Sequence, residues 1–150
     1  MGAYQTVLVG TDGSDSSYRA VDRAAAIAAD AGAKLVIVCA YFPASAREVA
    51  SAEDALGEEA YQVVGSTPAE DTLRTAEERA AKQGATNVQA AAIQGNPVKS
   101  LIKALEDHKA DLLVVGNRGL NTLAGRLLGS VPADVSRQSP CDVLIVHTVR

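Results

Sequence analysis

The sequence predicts an α/β domain built on a doubly wound, five-stranded parallel sheet, and three observations carry that expectation. Four short apolar runs, at Thr6–Gly10, Lys34–Ala40, Asp111–Val115 and Asp142–Val146, are continuous rather than alternating, which is how parallel strands covered on both faces read. Patterns of helical period lie between them. Glycine, proline, serine and Asx residues punctuate the junctions where helices would start and stop. The resulting order β-α-β-α-β-α-β-α-β implies right-handed crossovers and winding to both sides of the sheet. At this length the chain can bury about two-thirds of its unfolded surface around one core, so a single domain is expected over residues 1–150.

The first strand, Thr6–Gly10, leads into a helix capped by Ser14, with Val21, Ala24, Ala25, Ala28 and Ala31 on its apolar face and Gly32 as its stop. Lys34–Ala40 is the second strand. The stretch from Phe42 to Ser66, rich in Ala, Ser and Glu, fits no element and reads as a loop or a short surface helix. A second helix is expected to open at Thr67-Pro68, with Thr67 as cap, Pro68 at the first helical position and Glu70 closing a capping box, and to end at Gly84. Asn87–Ile93 is weaker and partly polar, as a strand at the sheet margin would be. Asn96-Pro97 opens a third helix that buries Val98, Leu101, Ile102 and Leu105. Asp111–Val115 is the fourth strand. Gly129-Ser130 starts a fourth helix that stops before Pro140, and Asp142–Val146 is the closing strand.

Composition narrows the function classes. A net charge of −4, with no run of five basic residues and no basic stripe with interleaved aromatics, argues against a nucleic-acid surface. No apolar run approaches the roughly 18 residues that cross a bilayer, and no basic and apolar leader opens the chain. A cytoplasmic protein without membrane attachment is expected. The two cysteines, Cys39 and Cys141, lie in or beside strands and suit reduced core thiols better than a disulfide or a metal site.

The most telling chemistry follows the fourth strand. Asp111-Leu-Leu-Val-Val-Gly116-Asn-Arg-Gly119 opens into a glycine-spaced loop, and after nine further residues come Gly129-Ser130-Val131. Glycines at a strand end let backbone N–H groups approach an anion with no Cβ in the way, and a helix N-terminus adds free N–H groups and partial positive charge. Ser130 adds a hydroxyl. In an open parallel sheet ligands bind beyond the carboxyl ends of the strands where strand order reverses. If the first and fourth strands are neighbours there, Gly10-Thr11-Asp12-Gly13-Ser14 faces Gly116–Ser130 across a crevice. Asp12 could accept hydrogen bonds from ribose hydroxyls, or Asp12 or Ser14 could simply cap the first helix, as Asp-Gly-Ser sequences commonly do.

Other chemistries find no residues to carry them. A P-loop needs a lysine in G-x-x-x-x-G-K-(S/T), and no lysine lies between Asn117 and Arg150. Arg118 and Arg126 are the cations of the loop, able to meet phosphate bidentately or simply to stay solvated. His108 falls at a helix end where it complements the dipole. His147 ends the last strand with no nucleophile signature beside it. Flavin binding is disfavoured by the absence of Trp and by an aromatic content of 3%, which leaves few rings to stack on an isoalloxazine.

Taken together, Val7-Leu-Val-Gly-Thr-Asp-Gly-Ser14 and the pattern G-x-x-G, nine residues, G-(S/T) at Gly116, Gly119, Gly129 and Ser130 resemble the universal stress protein family, in its ATP-binding-motif subgroup. The resemblance covers the whole chain. It implies the strand order 3-2-1-4-5, adenine near the ends of the first two strands, Asp12 on the ribose side, Ala40 offering backbone groups to the base, and Gly116, Gly119, Gly129, Ser130 and Val131 around the phosphates; Gly10, Thr11 and Arg118 complete the expected nucleotide-binding residues. No catalytic residue and no protein-held metal is implied. The expected ligand is ATP, with Mg2+ as its companion, or cyclic AMP, bound by a regulatory or sensing module that dimerises through its last strand. The alternatives are a slow ATPase or nucleotide-transfer enzyme, and a structural dimer with a vestigial site.

Overall fold

A computed structural model describes residues 2–42, 63–64, 66–117 and 130–148, with backbone alone at 63, 64, 66 and 130. Its elements run β1 (Thr6–Gly10), α1 (Asp15–Ala31), β2 (Lys34–Phe42), β3 (Val63–Val64), α2 (Ser66–Lys82), β4 (Val88–Gln94), α3 (Pro97–His108), β5 (Leu112–Gly116), α4 (Ser130–Gln138) and β6 (Asp142–Val146). The five long strands are all parallel and lie in the order β4-β2-β1-β5-β6, which is 3-2-1-4-5 when those five are counted along the chain. The doubly wound sheet expected from the sequence is therefore present.

Alternation along the strands divides the core in two. Val7, Val9, Leu35, Ile37, Leu112 and Val114 meet the alanine stripe of α1 and Ala69, Leu73, Ala76 and Ala80 of α2. Leu8, Val36, Val38, Leu113 and Val115 meet Leu101, Ala104 and Leu105 of α3 and Val135 of α4. Covering on both faces is why the central strands read as unbroken apolar runs. β4 pairs with β2 alone among the described residues and alternates between half-buried and exposed positions, as a marginal strand does.

The helix ends follow local chemistry. Ser14 caps α1, its side chain accepting from the Ser17 N–H, and Gly32 closes the helix with φ of 65°, a conformation that a Cβ would penalise. Asn96 caps α3 by accepting from the Val98 and Lys99 N–H groups, with Pro97 at the first helical position. α2 departs from expectation. It begins at Ser66, so Thr67 lies inside the helix and does not cap it, and Pro68 takes the third position. Pro is tolerated there because the first four N–H groups of a helix have no intrahelical acceptor to lose. The expected loop from 42 to 66 also changes: Phe42 still belongs to β2, and Val63–Val64 form β3 against the tip of β2, with Tyr41 opposite Val63. Residues 43–62 lie outside the described part. No helix among the described residues is long and apolar enough to cross a membrane.

Candidate functional site at the carboxyl edge of the sheet

The connections from β1 and β5 leave the sheet in opposite directions, so the carboxyl ends of these two neighbouring strands mark its topological switch. Val9 pairs with Val114, the last pair between the two strands, so β1 ends one residue later at Gly10 and β5 two residues later at Gly116. Gly10 is the last residue of β1, opposite Val38 of β2, and Ala40 follows on β2 just past the point where β1 ends. α4 connects two parallel strands and must run antiparallel to them, which puts its N-terminal residues Ser130 and Val131 at this same edge. Val131 is half-buried and packs on the α3–α4 core. Space at this edge is tight: a Cβ on Gly10 would stand 3.0 Å from a Leu101 methyl, and one on Gly116 would stand 3.2 Å from the Ser16 hydroxyl and 3.3 Å from that of Thr148.

The β1–α1 turn is held by an ordered relay. The Thr11 N–H donates to the Val38 carbonyl at 2.9 Å, fixing the chain as it leaves the sheet. Ser17 Oγ donates to the Ser14 carbonyl at 2.9 Å, so at the 2.8 Å contact between Thr11 Oγ1 and Ser17 Oγ the threonine is the donor. Thr11 Oγ1 then accepts from the Gly13 N–H, at a residue whose φ of 86° suits glycine. Asp12 is half-buried and its Oδ1 accepts from the Ser14 N–H at 2.9 Å, an Asx turn. Its Oδ2 makes no hydrogen bond among the described residues. Asp12 therefore serves the turn with one oxygen and keeps the other unbonded among the described residues. The charge is felt locally: burial pushes the Cys39 thiol of β2 up to about 12, and the Asp12 carboxylate adds to that shift. Cys39 and Cys141 are both free thiols.

A second polar cluster sits where β5 and β6 leave the sheet. Asn117 Oδ1 accepts from the Thr148 N–H at 2.8 Å and from the Thr148 hydroxyl at 2.9 Å, while Asn117 Nδ2 lies 3.2 Å from His147 Nδ1. The hydroxyls of Ser16 and Thr148, both buried, are hydrogen-bonded to each other. Arg19 of α1 donates to the Thr148 carbonyl at 2.6 Å, and the Asn117 N–H donates to the Val146 carbonyl at 2.9 Å.

The structure thus brings Gly10, Thr11, Asp12, Ala40, Gly116 and the start of α4 to one edge of the sheet. The edge of β2 beside Ala40 is shared: Tyr41 pairs with Gln94 of β4 on one side and Val63 of β3 on the other, so β3 occupies the place past the end of β1. Arg118, Gly119 and Gly129, together with Arg126, lie outside the described residues, and so does the side chain of Ser130. Sequence reasoning missed Ser16, Ser17, Asn117 and Thr148 and set His147 aside. Only Ser17 had a local signal, its place one turn after the cap. Ser16 and Thr148 are 132 positions apart, a pairing that no local pattern announces.

Comparison with known proteins agrees with this arrangement. The profile of the universal stress protein family matches residues 3–147. A universal stress protein of Mycobacterium tuberculosis is 59% identical over 148 residues, covering 99% of each chain. One from Thermus aquaticus is 34% identical over 96% of this chain and 99% of its own. Among solved structures, a universal stress protein crystallised in complex with cAMP superposes with a TM-score of 0.76 at 52% identity, over 99% of this chain and 100% of that one. From the sheet order, the glycine-lined switch and these likenesses along its whole length, the chain belongs to the universal stress protein family.

Proposed function

We propose that this protein binds an adenine nucleotide at the carboxyl edge of β1, β2 and β5 and acts as a regulatory or sensing module in the cytoplasm. The observation that carries the reading is Asp12, a half-buried carboxylate just past the end of β1, with one oxygen committed to its own turn and the other without a hydrogen bond among the described residues. In this reading the free oxygen accepts from ribose hydroxyls and Ala40 meets the base through its backbone. The G-x-x-G segment, with Gly129, Ser130 and Val131, supplies N–H groups and a helix terminus to phosphate. The cAMP complex of a protein 52% identical supports the ligand class and favours cAMP.

ATP is the competing ligand for the same site. It brings about four negative charges to a loop whose cations are Arg118 and Arg126, so it would bind with a divalent cation such as Mg2+ held on its own phosphates. Cyclic AMP brings one charge and needs no metal. It also lacks a free 3′-hydroxyl, so it forgoes part of the Asp12 contact.

The same reading includes a homodimer through β6. Among the described residues β6 pairs on one side only, and Val143, Leu144 and Ile145 remain half-buried there. Isothermal titration calorimetry tests the ligand reading. Cyclic AMP and ATP displace one another, and EDTA weakens ATP binding while leaving cAMP binding nearly constant. Failure of either nucleotide to displace the other contradicts the single site.

A further inference from the structure

We propose that Asn117, Thr148 and His147 position the carboxyl end of β5 for nucleotide binding, and that this arrangement forms only while His147 is neutral. The inference rests on the nucleotide reading above and adds a regulation of that site. Its basis is proton bookkeeping. The Thr148 backbone N–H can only donate, so the side-chain atom of Asn117 at 2.8 Å from it is the carbonyl oxygen, and the amide orientation is fixed. The Thr148 hydroxyl, 2.9 Å from the same oxygen, must donate to it as well. Its proton is then spent, so the Ser16 hydroxyl is the donor to Thr148. The Asn117 NH2 is left facing His147 Nδ1, and because an NH2 group cannot accept, Nδ1 must carry a lone pair.

Every hydrogen bond in this chain has one allowed direction. Protonating His147 turns Nδ1 into a donor opposite a donor and opens the contact. Asn117 is the second residue of the G-x-x-G segment, and it is tied by its N–H to Val146 and by its side chain to Thr148. Gly116 packs against the Ser16–Thr148 pair, where a Cβ would stand 3.2 Å and 3.3 Å from the two hydroxyls. Loss of the His147 contact therefore loosens the residues that aim the phosphate-side backbone. The charged group bonded into the cluster from α1 is Arg19, through the Thr148 carbonyl. Among the described residues, no carboxylate pairs with His147 from α1, β5 or β6.

Calorimetry with cAMP, whose phosphodiester charge is constant over the range, separates the outcomes. Affinity of the wild-type protein falls roughly fivefold between pH 8 and pH 5.5, about the worth of one hydrogen bond. His147→Gln, whose amide oxygen accepts from Asn117 at any pH, gives a flat profile. Asn117→Ala binds more weakly at pH 8 and shows no further fall. A flat wild-type profile, or a fall of equal size in His147→Gln, overturns the proposal. So does a wild-type affinity that rises on acidification, since a protonated His147 would then be meeting phosphate directly. NMR of the protein without nucleotide gives a readout that survives failure of the nucleotide reading. The amides of Gly116, Asn117 and Thr148 shift between pH 8 and pH 5.5 in the wild type and stay still in His147→Gln; amides that do not move in the wild type contradict the positioning role.

Discussion

At Asp12 the two carboxylate oxygens differ, one accepting from the Ser14 N–H and the other making no hydrogen bond among the described residues. Asp12→Asn keeps the acceptor that closes the turn and removes the charge offered to ribose. The melting temperature should therefore stay close to that of the wild type, while nucleotide affinity falls by about 1.5–3 kcal/mol, the range for a hydrogen bond to a charged group. Equal affinities would return Asp12 to the turn alone. Cys39 behaves as the opposite kind of residue, since burial holds its thiol in the neutral form up to about pH 12. A thiol reagent at pH 8 should modify Cys141 and leave Cys39 until the protein unfolds; rapid labelling of both would contradict the burial. The sign of the linkage follows: stability is full below the unfolded thiol's pKa and is lost as pH climbs toward 12. The sequence offered Asp12 as ribose ligand or, with Ser14, as helix cap; the cap is Ser14, and Asp12 instead closes the turn before it with one oxygen. The Asn117–Thr148–Ser16 cluster was invisible there, since its members meet only after three β-α units have folded.

Among the elements, α1 and α2 are joined on the solvent side by Arg79, which donates to both Asp22 oxygens at 3.0 and 2.6 Å and lies 5.2 Å from the centre of the Tyr18 ring. The pair is about one-third exposed, so screening limits its worth. Arg79→Ala should cost roughly 1 kcal/mol in total, seen by calorimetry as a melting temperature lower by about 2–4 °C; an unchanged transition would show that the pair contributes nothing. The long strands and α1, α3 and their caps were legible because continuous apolar runs and Ser or Asn caps are local signals. The start of α2 was not, because Pro is acceptable at any of the first helical positions and Thr67-Pro68 suits more than one of them. β3 escaped notice for a simpler reason: two residues have no periodicity, and pairing with the tip of β2 is what makes them a strand.

For the whole molecule, the fold order came from the family resemblance and the alternation of elements, and both faces of the core agree with it. If β6 pairs with its twin, multi-angle light scattering at micromolar concentration should return twice the 15.4 kDa of the chain, and a clean monomer mass would remove the dimer. The central claim, an adenine nucleotide seated at the switch, is tested most directly by a crystal structure of the protein grown with cAMP. The account predicts the ribose beside the free oxygen of Asp12, the base beyond the ends of β1 and β2, and the phosphate against the N–H groups that follow Gly116 and open α4. A nucleotide lodged elsewhere on the surface, or an empty switch at saturating cAMP, would contradict it.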